Sequence, residues 1–170
     1  MSFSPVRINH AVLFVSDLNR SVTFYTETFG MQIVTREPGA NAAFLRLPRS
    51  GNHHDLGLFG VGRQGGPKQR GAIGLYHLAW QVDTIDELVE ARDVLAKAGA
   101  LGGMSSHGAT KSVYGADPDG IEFEIMWMLP RADWGEMEHT ATVEAIDLAA
   151  EQRRWTGRRT AAELSKPAER

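Results

Sequence analysis

INHAVLFVSDLNRSVTFYTETFG, residues 8–30, and LYHLAWQVDTIDELVEARDVLAKAG, residues 75–99, follow one plan. Each opens on a short apolar run that carries a histidine, His10 in Asn9-His10-Ala11-Val12 and His77 in Tyr76-His77-Leu78-Ala79. The first run ends at Ser16-Asp17 and gives way to a helical stretch that closes at Gly30. In the second, Thr84 and Glu87 have the spacing of a capping box, Ile85, Leu88, Ala91 and Leu95 follow at helical spacing, and Gly99 marks the stop. The shared plan is strand then helix, used twice.

The same order continues outward from both stretches. Runs at Met31 to Glu37, Ala42 to Leu47 and His54 to Val61, separated by Pro38-Gly39 and by residues 48–52, read as three antiparallel strands. Gly102 to Ser106, Lys111 to Ala116 and Ile121 to Met128 supply three more after the second helix. Between the halves, GRQGGPKQRG at 62–71 lacks phosphate-loop spacing and reads as a flexible connector placed to cover a cleft. Two βαβββ modules, residues 7–61 and 74–128 of a domain spanning 1–130, predict an α+β fold. Its expected form is one concave mixed sheet with helices behind it, inward residues of both halves lining a shared cleft.

Residues 131–170 lose the strand pattern and read as a C-terminal helical extension with one helix from Thr142 to Trp155. Glu144 and Asp147 lie early and Arg153 and Arg154 late, as the helix dipole favours. Val143, Ile146 and Ala150 form a narrow apolar stripe, suited to the core edge or to a second subunit. The last dozen residues read as disordered.

With 170 residues, 42% apolar and 23% charged, the chain can bury one core. A net charge of −3 with interspersed signs offers neither a nucleic-acid face nor a polybasic membrane patch, so a small molecule is the expected partner. MSFSPVRINH has no signal-peptide pattern and no run approaches the ~20 apolar residues of a membrane span, which predicts a cytoplasmic protein. Without cysteine, any metal must be held by nitrogen and oxygen.

Alternation places His10 on the face of Ile8 and Val12, and His77 on that of Leu75 and Ala79. Glu124 follows the tight turn DPDG in the apolar strand of DPDGIEFEIMW, where an ionised carboxylate is costly unless a cation or partner meets it. Singly, each histidine is the kind of residue that hydrogen-bonds inside a core. Together, in equivalent places of a duplicated unit and with Glu124 closing the second, they form a two-histidine, one-carboxylate metal set. That set leaves coordination positions open, as in non-haem Fe(II) oxygenases. Glu122 shares the face of Glu124 and is an alternative ligand or a substrate contact.

INHAVLFVSDLNRSVTFYTETFGMQ, LYHLAWQVDTIDEL, and DPDG with a glutamate four residues after its glycine resemble the vicinal oxygen chelate superfamily. That superfamily includes glyoxalases, extradiol catechol dioxygenases and bleomycin or fosfomycin resistance proteins. The resemblance covers roughly residues 7–128 and implies that His10, His77 and Glu124 are the metal ligands. SGNHHDLGLF resembles the paired-histidine strand of the extradiol branch, which implies that His54 is the acid/base group. SHGATKSVYGADPDGIEFE resembles that branch's final motif and carries His107 and Tyr114 into the site. Tyr114 keeps the family's ten-residue spacing to Glu124, while the stretch from His107 to Tyr114 is shorter than the family pattern. Leu56 and Leu58 are expected beside His54, with Asp55 turned away, so that no fourth protein ligand of the glyoxalase kind is supplied there.

The resemblance therefore implies a metal-dependent oxidoreductase: an extradiol-type ring-cleaving dioxygenase using Fe(II), O2 and a catechol-like aromatic. Mn, Zn, Ni or Co would suit a glyoxalase-like lyase or isomerase, and a drug-binding resistance protein is the third reading. A homodimer is expected from the family. Phe44, Phe59 and Met126 are candidate pocket residues, and Trp80 and Trp127 candidate core aromatics.

Overall fold

In the computed structural model, which describes residues 3–66 and 71–164, the chain divides into two units, Met1–Gln69 and Arg70–Arg170. Each unit is built on one of the two modules. In the first, β1 (Ala11–Val15) leads into α1 (Leu18–Phe29), followed by β2 (Gln32–Glu37), β3 (Ala42–Arg46) and β4 (Leu56–Gly60). Asp17 starts α1 by accepting the Arg20 amide at 3.1 Å. Gly30 ends it at φ 64, a left-handed conformation that glycine enters without a Cβ penalty.

The strands pair in the order β1-β4-β3-β2. β1 lies parallel to β4, and the other pairs are antiparallel. Alternation then divides the sheet into two faces. Leu13, Val15, Leu45, Leu56 and Leu58 are buried on the face that receives Val22 and Tyr25 of α1. Val12 and Phe14 point to the other face and stay 51% and 73% exposed.

The second unit repeats the plan with β5 (Leu78–Gln81), α2 (Ile85–Lys97), β6 (Leu101–Ser106), β7 (Thr110–Ala116) and β8 (Glu122–Met128), in the order β5-β8-β7-β6. β5 runs parallel to β8. The predicted capping box forms: Thr84 accepts the Glu87 amide at 3.1 Å, and Glu87 reaches back to the Asp83 amide at 2.8 Å. Val113, Phe123, Ile125 and Trp127 bury one face against Ile85, Leu88 and Leu95. The predicted core role of Trp127 holds, with its indole N–H 3.3 Å from the Asp83 carbonyl.

Strand pairing stays inside each module, because each first strand is met by its own last strand. The expected mixed sheet is thus realised as two four-stranded mixed sheets. The strands also begin later than the sequence suggests. β1, β4 and β5 start at Ala11, Leu56 and Leu78, so His10, His54 and His77 all stand just ahead of a strand.

The C-terminal helix is shorter than predicted. α3 covers Leu148–Trp155, since the Asp147 carboxylate caps it by accepting the Ala150 amide at 2.9 Å. Glu144, read as helical, instead pairs antiparallel with Ser106 at the edge of β6. Two 3-10 turns, Arg131–Asp133 and Gly135–His139, precede it, and a last short helix, α4 (Ala161–Leu164), comes after α3. Residues 165–170, within the stretch expected to be disordered, lie outside the described residues, as do 67–70 of the connector.

Of the two places expected for the tail helix, the structure shows the core edge. Leu148 and Trp155 are buried, and Trp155 lies 5.9 Å from Trp127 between ring centres. Two carboxylates beside the start of α2 fasten the C-terminal half of α3 and the chain beyond it. Asp86 accepts the Gly157 amide and the side chains of Gln152 and Thr156. Asp83 accepts the Thr160 and Ala161 amides and meets Arg159 at 2.7 Å. Burial pushes the Asp83 carboxyl up, but the Ala161 amide, the Arg159 charge and the Thr160 amide together carry it below 3.8. The Gly157 amide, then the Gln152 side chain, hold Asp86 below the same value.

A carboxyl lowered by folding stabilises fully above its ordinary value and loses that contribution as pH falls through the folded value. The Gly157 and Thr160 amides should therefore keep their hydrogen-exchange protection down to pH 3.8 and lose it only below. Asp83→Ala strands two amides, one of them on the buried Thr160. It should cost about 1–3 kcal/mol in denaturant unfolding.

Candidate metal and catalytic site

In the first unit, a polar clamp fixes the segment ahead of β1. The buried Asp55 carboxylate accepts the Leu47 amide, the Ser50 hydroxyl and the Asn52 side-chain amide, each at 2.7 Å. Asn52 also donates to the Asn9 carbonyl at 2.9 Å, and the Asp55 carbonyl accepts the Ala11 amide at 3.0 Å. The backbone on both sides of His10 is thereby held. His10 Nδ1 lies 2.9 Å from the Asn9 side-chain oxygen, an acceptor, which leaves Nε2 with its lone pair free to ligate.

His54 meets this group from just ahead of β4. Its ring centre is 4.6 Å from that of His10 and 5.2 Å from that of Phe44, and its Nδ1 is 3.1 Å from His53 Nδ1. Burial lowers its proton affinity below the ordinary 6.5, the charges of His10 and His53 add to this, and Asp55 opposes it.

The expected neighbours of His54 need correction. Leu56 and Leu58 are fully buried on the helix-covered face with Leu13 and Leu45, while Gly57 and Phe59 share the other face with Val12 and Phe44. Alternation does not reach back to His54, because His54 and Asp55 precede the strand and the capture of Asp55 sets their backbone. The register makes Gly57 informative. Val12 pairs with Gly57 as Ala79 pairs with Glu124, so Gly57 holds the place in the first module that Glu124 holds in the second. A Cβ on Gly57 would meet Phe44 at 3.3 Å and Val12 at 3.4 Å. No ligand is supplied from that position.

In the second unit, His77 Nε2 and Glu124 Oε2 are 3.0 Å apart. Parallel pairing causes this: Glu124 lies beside Ala79, and His77 is two residues earlier on the same face. Tyr114 stands opposite Glu124 in β7, its Oη 3.3 Å from Glu124 Oε1. Burial raises the Tyr114 hydroxyl above its usual 10, with the Glu124 charge a further raising cause, so it keeps its proton. His107, whose spacing departs from the extradiol pattern, is joined to this row, with Nε2 2.6 Å from Tyr114 Oη. Two participants had no signal in the sequence. Ser105 Oγ lies 2.9 Å from His107 Nε2, and the Thr142 carbonyl lies 2.6 Å from His107 Nδ1. Glu122 shares the face of Glu124 but pairs with Ala116, and the contact to His77 belongs to Glu124.

Among the described residues no three His, Cys, Asp or Glu side chains gather as a metal-holding group. The pair His77–Glu124 is complete in the second unit, and His10 belongs to the first. The donor chemistry fits a divalent metal. An imidazole nitrogen and a carboxylate oxygen converge, and the free Nε2 of His10 is a donor of the same kind. His77 Nδ1 is buried without a hydrogen-bond partner among the described residues. Phe44 and Phe59 share a face in the first unit, their ring centres 6.0 Å apart, and Met126 shares the face of Glu124 in the second. No helix among the described residues is long and apolar enough to cross a membrane.

Comparison with known proteins bears on the family and the fold. Residues 7–125 match the profile of the Glyoxalase/Bleomycin resistance protein/Dioxygenase superfamily. Biphenyl-2,3-diol 1,2-dioxygenase 3 of Rhodococcus globerulus is 31% identical over 127 residues, covering 74% of this chain and 64% of that protein. A probable chloroplastic lactoylglutathione lyase of Arabidopsis thaliana is also 31% identical over 127 residues, covering 71% of this chain and 35% of the lyase. The chain thus spans less than two thirds of the length of these relatives. Among solved structures, a glyoxylase/bleomycin resistance protein/dioxygenase domain from Frankia sp. EAN1pec superposes with a TM-score of 0.62 at 26% identity, over 75% of this chain and 94% of that one. With a profile matched across both modules and both halves of its duplicated fold in place, the chain belongs to the Glyoxalase/Bleomycin resistance protein/Dioxygenase superfamily.

Proposed function

We propose that the protein is an Fe(II)-dependent extradiol-type dioxygenase that opens the ring of a catechol-like aromatic with O2. In this reading His10, His77 and Glu124 hold the metal, and His54, Tyr114 and His107 serve the substrate. The observation that carries it is the row His107–Tyr114–Glu124–His77, in which a protonated phenol and an imidazole stand against a carboxylate of the metal set. Gly57 adds support, since glyoxalases of this superfamily usually supply a fourth ligand from the strand where this chain has glycine. Bound Fe(II) would supply open positions at which both catechol oxygens and O2 meet.

The chain's own residues then have distinct tasks. His54 has its proton affinity lowered and its Nδ1 turned to His53, so it is neutral at pH 7 and can take a catechol hydroxyl proton on Nε2. Tyr114 orients the substrate oxygen nearest Glu124. Phe44 beside His54 offers an edge to a planar ring.

The likeness to lactoylglutathione lyases supports a second reading, a metal-assisted isomerisation with Mn, Zn, Ni or Co. It predicts turnover without O2 consumption. A drug-sequestering role would instead survive metal removal. A homodimer is the proposed assembly: Phe3, Val6 and Ile8 are each at least 90% exposed ahead of β1, a surface that a second subunit can cover. Light scattering should give twice 18.7 kDa.

After anaerobic loading with Fe(II), O2 uptake on a panel of catechols should accompany a yellow ring-fission product, and both should vanish in His77→Ala. Iron binding with turnover but no O2 uptake would move the protein to the isomerase reading. His54→Ala should keep its iron and lose about 10²–10⁴-fold in ring cleavage; unchanged turnover would remove His54 from the mechanism.

A further inference from the structure

We propose that residues 140–144 form a positioning strap whose Thr142 carbonyl fixes the tautomer of His107 and, through it, the direction of the Tyr114 hydroxyl. This rests on Tyr114 lying in the ligand site, as the dioxygenase reading has it. A backbone carbonyl only accepts hydrogen bonds, so the 2.6 Å contact requires the proton on His107 Nδ1. In the neutral ring Nε2 is then a pure acceptor. Two hydroxyls face it, Tyr114 Oη at 2.6 Å and Ser105 Oγ at 2.9 Å, and Tyr114 is the nearer donor.

Tyr114 has a single hydrogen. Given to His107, it is withheld from Glu124 Oε1 at 3.3 Å, while Ser105 donates to Tyr114 Oη at 3.4 Å. Tyr114 Oη therefore presents a lone pair to a ligand. The group it favours is a hydroxyl donor rather than an ether or a carbonyl. Without the carbonyl, His107 would be free to take the Nε2–H tautomer, which points a hydrogen at Tyr114 and reverses the row.

The strap has its own anchor. Ser106 and Glu144 exchange both backbone hydrogen bonds at 2.9 Å, so residue 144 extends the edge of β6 one residue before His107. Met137 lies against the turn just beyond, where a Cβ on Gly108 would come within 3.1 Å of its sulfur. The strap and Met137 ahead of it thus meet the two ends of the His107 turn, while α3 is fastened separately through Asp86.

The test is long-range 1H–15N correlation of the histidine rings in the full-length, metal-free protein, with His107 assigned from His107→Gln. Neutral His107 should show a protonated Nδ1 and a pyridine-type Nε2; the opposite pattern overturns the proposal. Tyr114→Phe should move the Nε2 signal toward the position of an unbonded nitrogen, and an unmoved signal rules out Tyr114 as the donor. Glu144→Pro removes the amide that bonds Ser106 and leaves the α3 anchors in place. It should mix the two tautomers, whereas Glu144→Gln should match the wild type. A retained Nδ1–H tautomer in Glu144→Pro, with the Ser106 amide exchanging freely, would show that the strap does not set it. These readings need neither iron nor turnover, so they stand or fall separately from the dioxygenase activity.

Discussion

The parallel pairing of each module's first strand with its last is the constraint on which the candidate site depends. A βαβββ chain could leave its opening strand unpaired. Here the last strand returns to it, and side chains nearly fifty residues apart come to share one face. In the second unit this sets Glu124 beside Ala79 and brings it to 3.0 Å from His77. In the first, the same register sets Gly57 beside Val12 and leaves the position bare. One duplicated geometry thus carries a carboxylate in one copy and an open position in the other, an asymmetry expressed entirely in side chains.

Polar residues ahead of the strands convert this geometry into defined side-chain directions. Asp55 is buried, yet its oxygens accept three donors from residues 47–52, so its burial is compensated locally. The same bonds reach Asn9 through Asn52 and hold the chain on either side of His10. The bulky aliphatic face beneath carries α1 and contributes nothing to ligand chemistry. The division of labour between faces is what a half-buried sheet dictates.

Much of this is legible in the sequence because it depends on period. The capping box at Thr84, the stop at Gly30, the two modules, and the shared faces of His77 with Ala79 and of Glu122 with Glu124 all come from spacing. The illegible parts lie where periodicity fails. Leu56 and Leu58 fall on the face of His54 only if alternation runs through Asp55, which is not in the strand. Glu144 suits a helix N-terminus and draws the tail helix too early, yet Asp147 is the residue whose side chain caps. Ser105 and the Thr142 carbonyl cannot be singled out, since a small hydroxyl and a main-chain oxygen carry no motif.

The tail shows how a family fold acquires a further layer without disturbing its sheets. Asp83 and Asp86 stand at the N-terminal end of α2, where negative charge is favoured before any tail is added. Their remaining acceptor capacity takes the amides of Gly157, Thr160 and Ala161. Anchored there, the polypeptide must cross from the end of β8 to the start of α3, and its route passes the edge of β6 at Ser106. The position of the Thr142 carbonyl beside His107 is set by those two attachments and not by any side chain of its own. A main-chain oxygen held in this way cannot rotate away as a side-chain acceptor could, which suits it to fixing a tautomer. Its direction depends on the backbone pairing at residue 144, so the control it exerts on Tyr114 belongs to the fold of the second unit rather than to a replaceable side chain.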